Sequence, residues 1–153
     1  MAEPAAPPLA RDHDGGERLV FWGTTIVVRA SADTTAGAFT LFEEQTPILD
    51  TSRHVHRDVD EMYYVIEGDH VFVCGDREFT VGPGGTLFLP RGIPHSHRRV
   101  VPRTGRLLCM TSPAGFEGFF RILAEASGSG GSFDEAYRRA SREHGVTWLG
   151  PDD

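Results

Sequence analysis

From Leu19 onward, apolar and polar residues alternate in short runs. The runs are rich in Val, Ile, Thr, Phe and Tyr, and they read RLVFW, TTIVVRA, AGAFTLFEE, EMYYVIEG, HVFVCG, REFTV, TLFLP and RLLCMTS. This composition and alternation predict β-strands. Turn-forming residues separate the runs, and Gly75-Asp76 has the form of a tight hairpin turn. Because no helical pattern interrupts the strands, we expect an antiparallel sandwich or barrel.

The pattern changes after Pro113. The segment GFEGFFRILAEAS places its apolar residues on one helical face. A break rich in glycine and serine follows, and then Ser132 and Glu135 predict a capped second helix that ends at Gly145. The sequence therefore predicts three parts, which are a flexible N-terminal tail (1–17), a barrel (18–112) and a helical extension (113–153).

Length and charge narrow the class of protein. A chain of 153 residues fits one domain, and its net charge of −7 argues against nucleic acid as a partner. The N-terminus lacks the cationic start and apolar core of a secretory signal, and no apolar run approaches a membrane span. Cys74 and Cys109 form no CxxC motif and predict two reduced thiols. We therefore expect a cytoplasmic protein whose partner is a small molecule rather than a membrane.

The segment HVHRDVDE suggests a metal site. His54 and His56 lie two apart, so on a strand they face the same side. Glu61 follows a short turn and can fold back toward them, and the stiff segment PRGIPH leads to a fourth group, His95. Three nitrogens and one oxygen suit a divalent transition metal such as Fe, Ni, Mn, Co, Cu or Zn.

These two segments resemble the paired motifs of the cupin superfamily. The first motif reads H-x-H, four residues, E, six residues, G, and the second reads G, five residues, P-x-G, two residues, H. This chain matches them at eight positions, which are His54, His56, Glu61, Gly68, Gly84, Pro90, Gly92 and His95. The resemblance implies an all-β double-stranded β-helix, or jelly-roll barrel, with one divalent metal bound by His54, His56, Glu61 and His95.

The C-terminal segment is similar to that of single-domain cupins of the quercetin 2,3-dioxygenase-like type. This resemblance implies a dioxygenase, with dioxygen as co-substrate, acting on an enolic or aromatic, flavonol- or polyketide-like compound of secondary metabolism. A second hypothesis is a non-redox, metal-dependent polyketide cyclase or isomerase. A third is a barrel that binds a small molecule without catalysis. The resemblance also implies a homodimer formed through the outer sheet.

Four further positions are candidates for a catalytic or binding role. Glu61 could take a proton from a substrate hydroxyl. Strand alternation places His97 on the inner face, where it is either a proton carrier or fifth metal ligand, or a histidine that only lines the barrel wall. Tyr63 shares the face of Glu61 and could line a substrate pocket or pack in the core. Arg99 occupies a position where cupins usually have asparagine. It could pair with a carboxylate of the fold or hold an anionic substrate group.

We expect no functional role for the remaining histidines or for three phenylalanines of the first predicted helix. We expect His13, His70 and His144 to face solvent, because they fall in the tail, a turn and a helix end. Phe116, Phe119 and Phe120 fit a core role better than a substrate contact, although they could close one end of the barrel.

Overall fold

Antiparallel strands dominate the computed structural model, which describes residues 6–45, 51–100 and 105–150 and all their side chains except that of Arg99. The strands and helices are β1 (Glu17–Phe21), β2 (Thr24–Ala30), α1 (Ala32–Thr35), β3 (Thr40–Glu44), β4 (Thr51–His56), β5 (Asp60–Glu67), β6 (His70–Cys74), β7 (Arg77–Val81), β8 (Thr86–Leu89), β9 (His95–Arg99), β10 (Arg106–Ser112), α2 (Glu117–Gly128), α3 (Phe133–Glu143) and β11 (Val146–Trp148).

The strands form two sheets that face each other. One has six strands in the order β1-β2-β3-β10-β5-β8, and the other has five in the order β11-β4-β9-β6-β7. All strand pairings in the described part of the chain are antiparallel. β6 and β7 are joined at Gly75-Asp76 with Cys74 opposite Arg77, as the hairpin signal predicted. The predicted jelly-roll barrel with C-terminal helices is confirmed.

Registered rows of side chains fill the barrel. In one row Tyr63, Cys109 and Phe42 lie side by side on β5, β10 and β3. The next row contains Leu107 and Glu44, so a carboxyl group continues a row that is otherwise apolar. Val65, Phe72, Leu89 and Leu107 form a separate apolar cluster.

The C-terminal segment packs against the apolar core of the barrel. Phe116, Phe119 and Leu123 of the α2 region are buried in the same cluster as Phe42 and Ile26 of the barrel. The core role predicted for the phenylalanine stripe agrees with this position, and Phe120 packs edge-on against Phe42 at 4.9 Å between ring centroids.

Helix α3, the second of the two predicted helices, starts and ends where the capping residues of the sequence place it. The Ser132 hydroxyl accepts a hydrogen bond from the Glu135 backbone N–H at 3.5 Å, and Gly145 has φ +65°, which ends the helix. The chain then forms β11, which pairs with β4 and sets Trp148 opposite His54. Neither β11 nor the four-residue helix α1 was predicted from the sequence.

The described part of the N-terminal segment lies against the six-stranded sheet. Arg29 of β2 donates hydrogen bonds to the backbone carbonyls of His13 (2.7 Å) and Gly15. The three-part division of the chain stays a prediction. Among the described residues, no helix combines the length and apolar character needed to cross a membrane.

Glu117 ties the helical segment to the barrel. Although only 2% exposed, its carboxylate accepts hydrogen bonds from the backbone N–H groups of Ala32 (2.8 Å) and Gly115 (3.1 Å) and from the Thr40 hydroxyl. Burial raises the pKa of Glu117, but these hydrogen bonds outweigh it, so that the pKa lies below its ordinary value.

We predict that Glu117→Ala lowers the free energy of unfolding by about 2–3 kcal/mol, because three donors lose a charged acceptor. Since the folded pKa is lowered, the contribution of Glu117 is complete above the ordinary glutamate pKa and is lost as the pH falls through the folded value. Urea titrations across acidic pH should therefore show the variant and wild type converging in acid. Glu125→Ala, on the exposed side of the same helix, is the control; an equal loss there would contradict the assignment.

Candidate metal centre and adjoining cavity

Three histidines converge inside the barrel. His54 and His56 come from β4, and His95 begins β9 directly opposite His54. Each is 3–8% exposed, and one ligand nitrogen from each lies within 4.8 Å of the others. The alternation of strand side chains produces this arrangement, since His54 and His56 share a face and His95 is their cross-strand neighbour. The cluster could hold a metal ion.

Two of the rings are oriented by backbone carbonyls. Nδ1 of His54 lies 2.8 Å from the Ser52 carbonyl, and Nδ1 of His95 lies 3.0 Å from the Ile93 carbonyl. Because a carbonyl only accepts, each Nδ1 carries a proton, and in the neutral ring the lone pair is then on Nε2. This is the tautomer that a metal-binding histidine requires.

Glu61 joins the histidines from β5. Its Oε2 lies 3.0 Å from Nε2 of His95 and 3.6 Å from Nε2 of His56. The neighbouring Asp60 accepts hydrogen bonds from the backbone and guanidinium of Arg91 at 2.8 to 3.1 Å. This pair fixes the start of β5 against the loop that precedes His95.

Gly92 fixes the same loop against β4. Its backbone N–H donates to the carbonyl of His56 at 2.8 Å, and its φ of +78° favours glycine. The conformation of the PRGIPH segment therefore depends on this residue, and it brings His95 beside the histidines of β4.

The charges of the four groups suit a divalent cation. Burial, with the neighbouring His95 and His56, lowers the pKa of His54 to about 4, so that the ring is neutral at pH 7. Burial alone would raise the pKa of Glu61, but the charges of His56, His95 and His54 outweigh it and lower the pKa to about 2. Burial also lowers the pKa of His95, but Glu61 outweighs it and the net shift is upward. At neutral pH, Glu61 is therefore an ionised carboxylate beside at least one ring with a free lone pair.

Several polar atoms of the cluster have no use within the fold. Among the described residues, Oε2 of Glu61, Nε2 of His95 and Nδ1 of His56 are buried without a hydrogen-bond partner, although the first two are only 3.0 Å apart. Buried polar atoms without partners are costly. A cation bound by three imidazoles and Glu61 would engage Oε2 of Glu61 and Nε2 of His95, so the donor set fits a divalent metal. The ligand role of each of the four residues stays a prediction.

His97 and Tyr63 lie in the barrel interior near the cluster. His97 is buried and stacks on Phe72 at 4.7 Å between ring centroids. The Tyr63 hydroxyl lies 3.4 Å from Oε1 of Glu61, and burial, followed by nearby acidic groups, raises the pKa of Tyr63 well above its usual range. Tyr63 therefore carries its proton and can donate it to the carboxylate in a hydrogen bond.

The solvent-facing prediction for His70 is wrong. His70 is fully buried; its Nδ1 lies 2.9 Å from Nε2 of His97 and its Nε2 lies 3.0 Å from the Glu67 carbonyl. It is the first residue of β6 rather than part of the turn, and it shares the inner face with Phe72. That parity was the sequence signal for its burial.

The other histidines and Arg99 have different outcomes. His13 is exposed, as expected. His144 is half-buried beside Phe116 and Phe119, so the solvent-facing prediction is wrong for it too. The Arg99 side chain lies outside the described residues, and its proposed pocket role stays a prediction.

A cavity of about 570 Å³ lies beside Trp148 and Ser52, both of which contact His54. The residues that line it include Thr51, Ser52, Glu44 and six aromatic side chains, namely Phe21, Trp22, Phe120, Phe133, Tyr137 and Trp148. Its volume is typical of small-molecule sites. None of the four predicted ligands is among the described residues that line it.

Two aromatic rings of the C-terminal segment pack against the histidines, and one of them, Trp148, also lines the cavity. Trp148 packs on His54 with 4.8 Å between centroids, and Phe116 packs edge-on against His56 at 4.9 Å. The indole N–H of Trp148 donates to the Ser141 hydroxyl at 2.8 Å, which fixes the ring. Sequence reasoning missed Trp148 because its contact with His54 depends on the pairing of β11 with β4.

Comparisons with known proteins show what the barrel is similar to. The family model described as the cupin domain matches residues 42–111. This segment contains all four predicted ligands and most of both sheets. The barrel has the fold of a cupin domain. An uncharacterized protein of Methanocaldococcus jannaschii, MJ1618, is 29% identical over 63 residues, which are 41% of this chain and 50% of that protein. The match thus spans about half the length of the curated relative.

Solved cupin structures share this fold. An RmlC-like cupin from Shewanella frigidimarina superposes with a TM-score of 0.59 at 17% identity, covering 72% of this chain and 96% of that one. Pac13 from Streptomyces, described as a nucleoside dehydratase, superposes with a TM-score of 0.56 at 15% identity, covering 73% of this chain and 88% of that one. At these identities the similarity establishes the cupin fold.

We predict that His54→Ala and His95→Ala each weaken metal binding by the protein at least about tenfold, while the far-UV circular dichroism stays that of wild type. Metal content is measured by elemental analysis of protein purified without added metal and again after saturation with Fe, Ni, Mn, Co, Cu and Zn in turn. His13→Ala, with its exposed ring, is the matched control. Full metal occupancy in either cluster variant would refute the ligand assignment.

Proposed function

We propose that this protein is a metal-dependent enzyme that acts on a small enolic or aromatic molecule. The observation that carries the proposal is the buried cluster of His54, His56, His95 and Glu61, in which Oε2 of Glu61 and Nε2 of His95 have no other partner among the described residues, with an aromatic cavity beside Trp148. A metal held by His54, His56, Glu61 and His95 would act as a Lewis acid and a template for the substrate. The cupin fold supports such a site, because it brings both motifs together.

The residues around the cluster supply proton transfer and orientation. Glu61 directs Oε2 toward His95, which leaves Oε1, beside the Tyr63 hydroxyl, to receive the proton of a substrate enol or phenol. Tyr63 keeps its own proton and stabilises the charge on Glu61 through that contact. His97 and His70, joined at 2.9 Å, are the next pair along the interior that could carry a proton.

Within this class, we propose a dioxygenase of the quercetinase type as the first candidate. The aromatic cavity suits the flat ring system of a flavonol or of an aromatic polyketide. Both atoms of dioxygen would enter the substrate during oxidative cleavage.

A non-redox cyclase or isomerase is the second candidate. Such a reaction needs a polarised carbonyl group and residues that accept and donate a proton, which here would be Glu61 and Tyr63. It needs no oxidant. The fold relative Pac13 is described as a dehydratase, and a dehydration is likewise a non-redox reaction. The similarity is one of fold, and it supports the second candidate only in that a related barrel is described with a non-redox activity.

The two candidates predict different dependence on oxygen. If the dioxygenase proposal holds, turnover of flavonols such as quercetin, or of polyketide-like enols, stops under anaerobic conditions, and ¹⁸O₂ labels the product with two heavy atoms. Oxygen uptake and product mass spectrometry measure this, with His54→Ala as the metal-depleted control. Undiminished turnover without oxygen would exclude the dioxygenase and favour the cyclase or isomerase.

We also propose that the protein forms a homodimer through the outer face of the six-stranded sheet. Across four strands, Phe88, Met62, Met110 and Leu41 lie in one registered row on this face. Phe88 is 53% exposed, and Met62 and Tyr64 are also exposed. A contiguous apolar patch of this kind is typical of an interaction surface.

The dimer proposal predicts that Phe88→Asp converts the protein to a monomer in light scattering coupled to size-exclusion chromatography, because a charge would be desolvated at the interface. Val100→Asp is the control, since Val100 is also exposed but follows β9 of the other sheet. A wild-type protein that is monomeric at micromolar concentration would overturn the proposal.

A further inference from the structure

Glu44 lies where the cavity meets the barrel interior. It is the last residue of β3, and its backbone is in register with Leu107 of β10 and Ile26 of β2. Its side chain lines the cavity, and the residue is only 9% exposed. The carboxyl group therefore belongs to the inner wall of the cavity rather than to the protein surface.

The fold makes no visible use of this carboxyl group. Its registered neighbours Leu107 and Ile26 are apolar and buried, and no hydrogen bond or ion pair to it occurs among the residues that the structure describes. The adjacent Glu43 provides a contrast, because its carboxylate is paired with Arg29 at 2.8 Å and with Arg106. A carboxyl group that lines a cavity and is not used by the fold is available to a ligand.

The protonation state of Glu44 determines which ligand it can bind. Burial, with the negative charge of Glu61 as the second cause, raises the pKa of Glu44 to about 8. The group is therefore mostly protonated at neutral pH and can donate a hydrogen bond as well as accept one. A neutral acceptor such as a carbonyl oxygen fits it better than an ammonium group.

The rest of the cavity favours a flat ligand. Trp22, Phe133 and Tyr137 provide aromatic walls, and Trp148 connects the cavity to His54. Trp22 has a φ of +41°, a conformation rare for a large side chain, and its ring packs edge-on against Phe133 at 5.1 Å. A strained residue on the wall of a cavity is typical of a binding site.

We propose that Glu44 is a substrate-binding residue whose carboxyl group donates a hydrogen bond to a carbonyl oxygen of a planar aromatic ligand in this cavity. The ligand would then lie between the aromatic walls with its oxygen-bearing edge directed toward the barrel interior. This inference rests on the proposed function, because the ligand is taken to be the substrate of that enzyme.

The test compares two probes, 1-indanone and indane, which share one bicyclic frame and differ only in a carbonyl group. The full-length protein is used as purified, and both dissociation constants are measured by calorimetry. Trp22 and Trp148 are the only two tryptophans of the chain, and both line the cavity, so their fluorescence reports whether the probe is bound there.

The expected result is a change in the preference for the ketone. In Glu44→Leu, the ratio of ketone to hydrocarbon affinity should fall at least about fivefold from its wild-type value, because the donor is gone. Glu44→Gln should keep most of the preference, since its amide N–H can donate. Thr24→Val, which replaces another polar side chain of the same cavity, should leave the ratio unchanged.

Two results would overturn the inference. One is an affinity ratio that is the same in wild type and Glu44→Leu, and the other is the absence of any binding that alters tryptophan fluorescence at millimolar probe. Metal content is measured on the same samples. A protein without metal that still shows the Glu44-dependent preference would defeat the proposed function and leave this inference standing.

Discussion

The enclosure of three imidazoles and one carboxylate inside a small barrel is the constraint on which the rest of the site depends. Removing such groups from water is costly unless each polar atom gains a partner. The fold supplies part of the compensation through the Ser52 and Ile93 carbonyls, which hold two of the rings at Nδ1. The opposite edges of these rings lie in the barrel interior near Glu61. A divalent cation is the partner that suits their nitrogens and the carboxylate.

The segment after the barrel completes this site. Phe116, just before α2, packs against His56, and Trp148 of β11 packs against His54. The same segment contributes Phe120, Phe133 and Tyr137 to the cavity. The barrel therefore provides the polar centre, and the C-terminal residues provide much of the apolar wall beside it.

Two buried glutamates show how position determines chemistry within one barrel. Glu61 faces three imidazoles, and its pKa falls to about 2. Glu44 lies among apolar side chains and senses the charge of Glu61, and its pKa rises to about 8. One carboxyl group is thus an anion suited to a cation, and the other is a neutral donor suited to a carbonyl oxygen.

Local sequence signals predicted much of the fold. Strand alternation predicted that His54 and His56 share a face, and Ser132 marked the start of α3. The same reasoning failed for His70, because the turn residues before it suggested exposure although its parity with Phe72 indicated burial. It also overlooked Glu44, which continues the inward parity of Thr40 and Phe42 on β3.

The sequence by itself determined the strand-rich class, the order of the helices and the residues that share a face, because these depend on interactions between near neighbours in the chain. Only the tertiary structure decided which faces meet. The pairing of β11 with β4, the contact of Trp148 with His54 and the position of Glu44 at the cavity join residues far apart in sequence. Such contacts follow from the packing of the whole chain, and no local pattern encodes them.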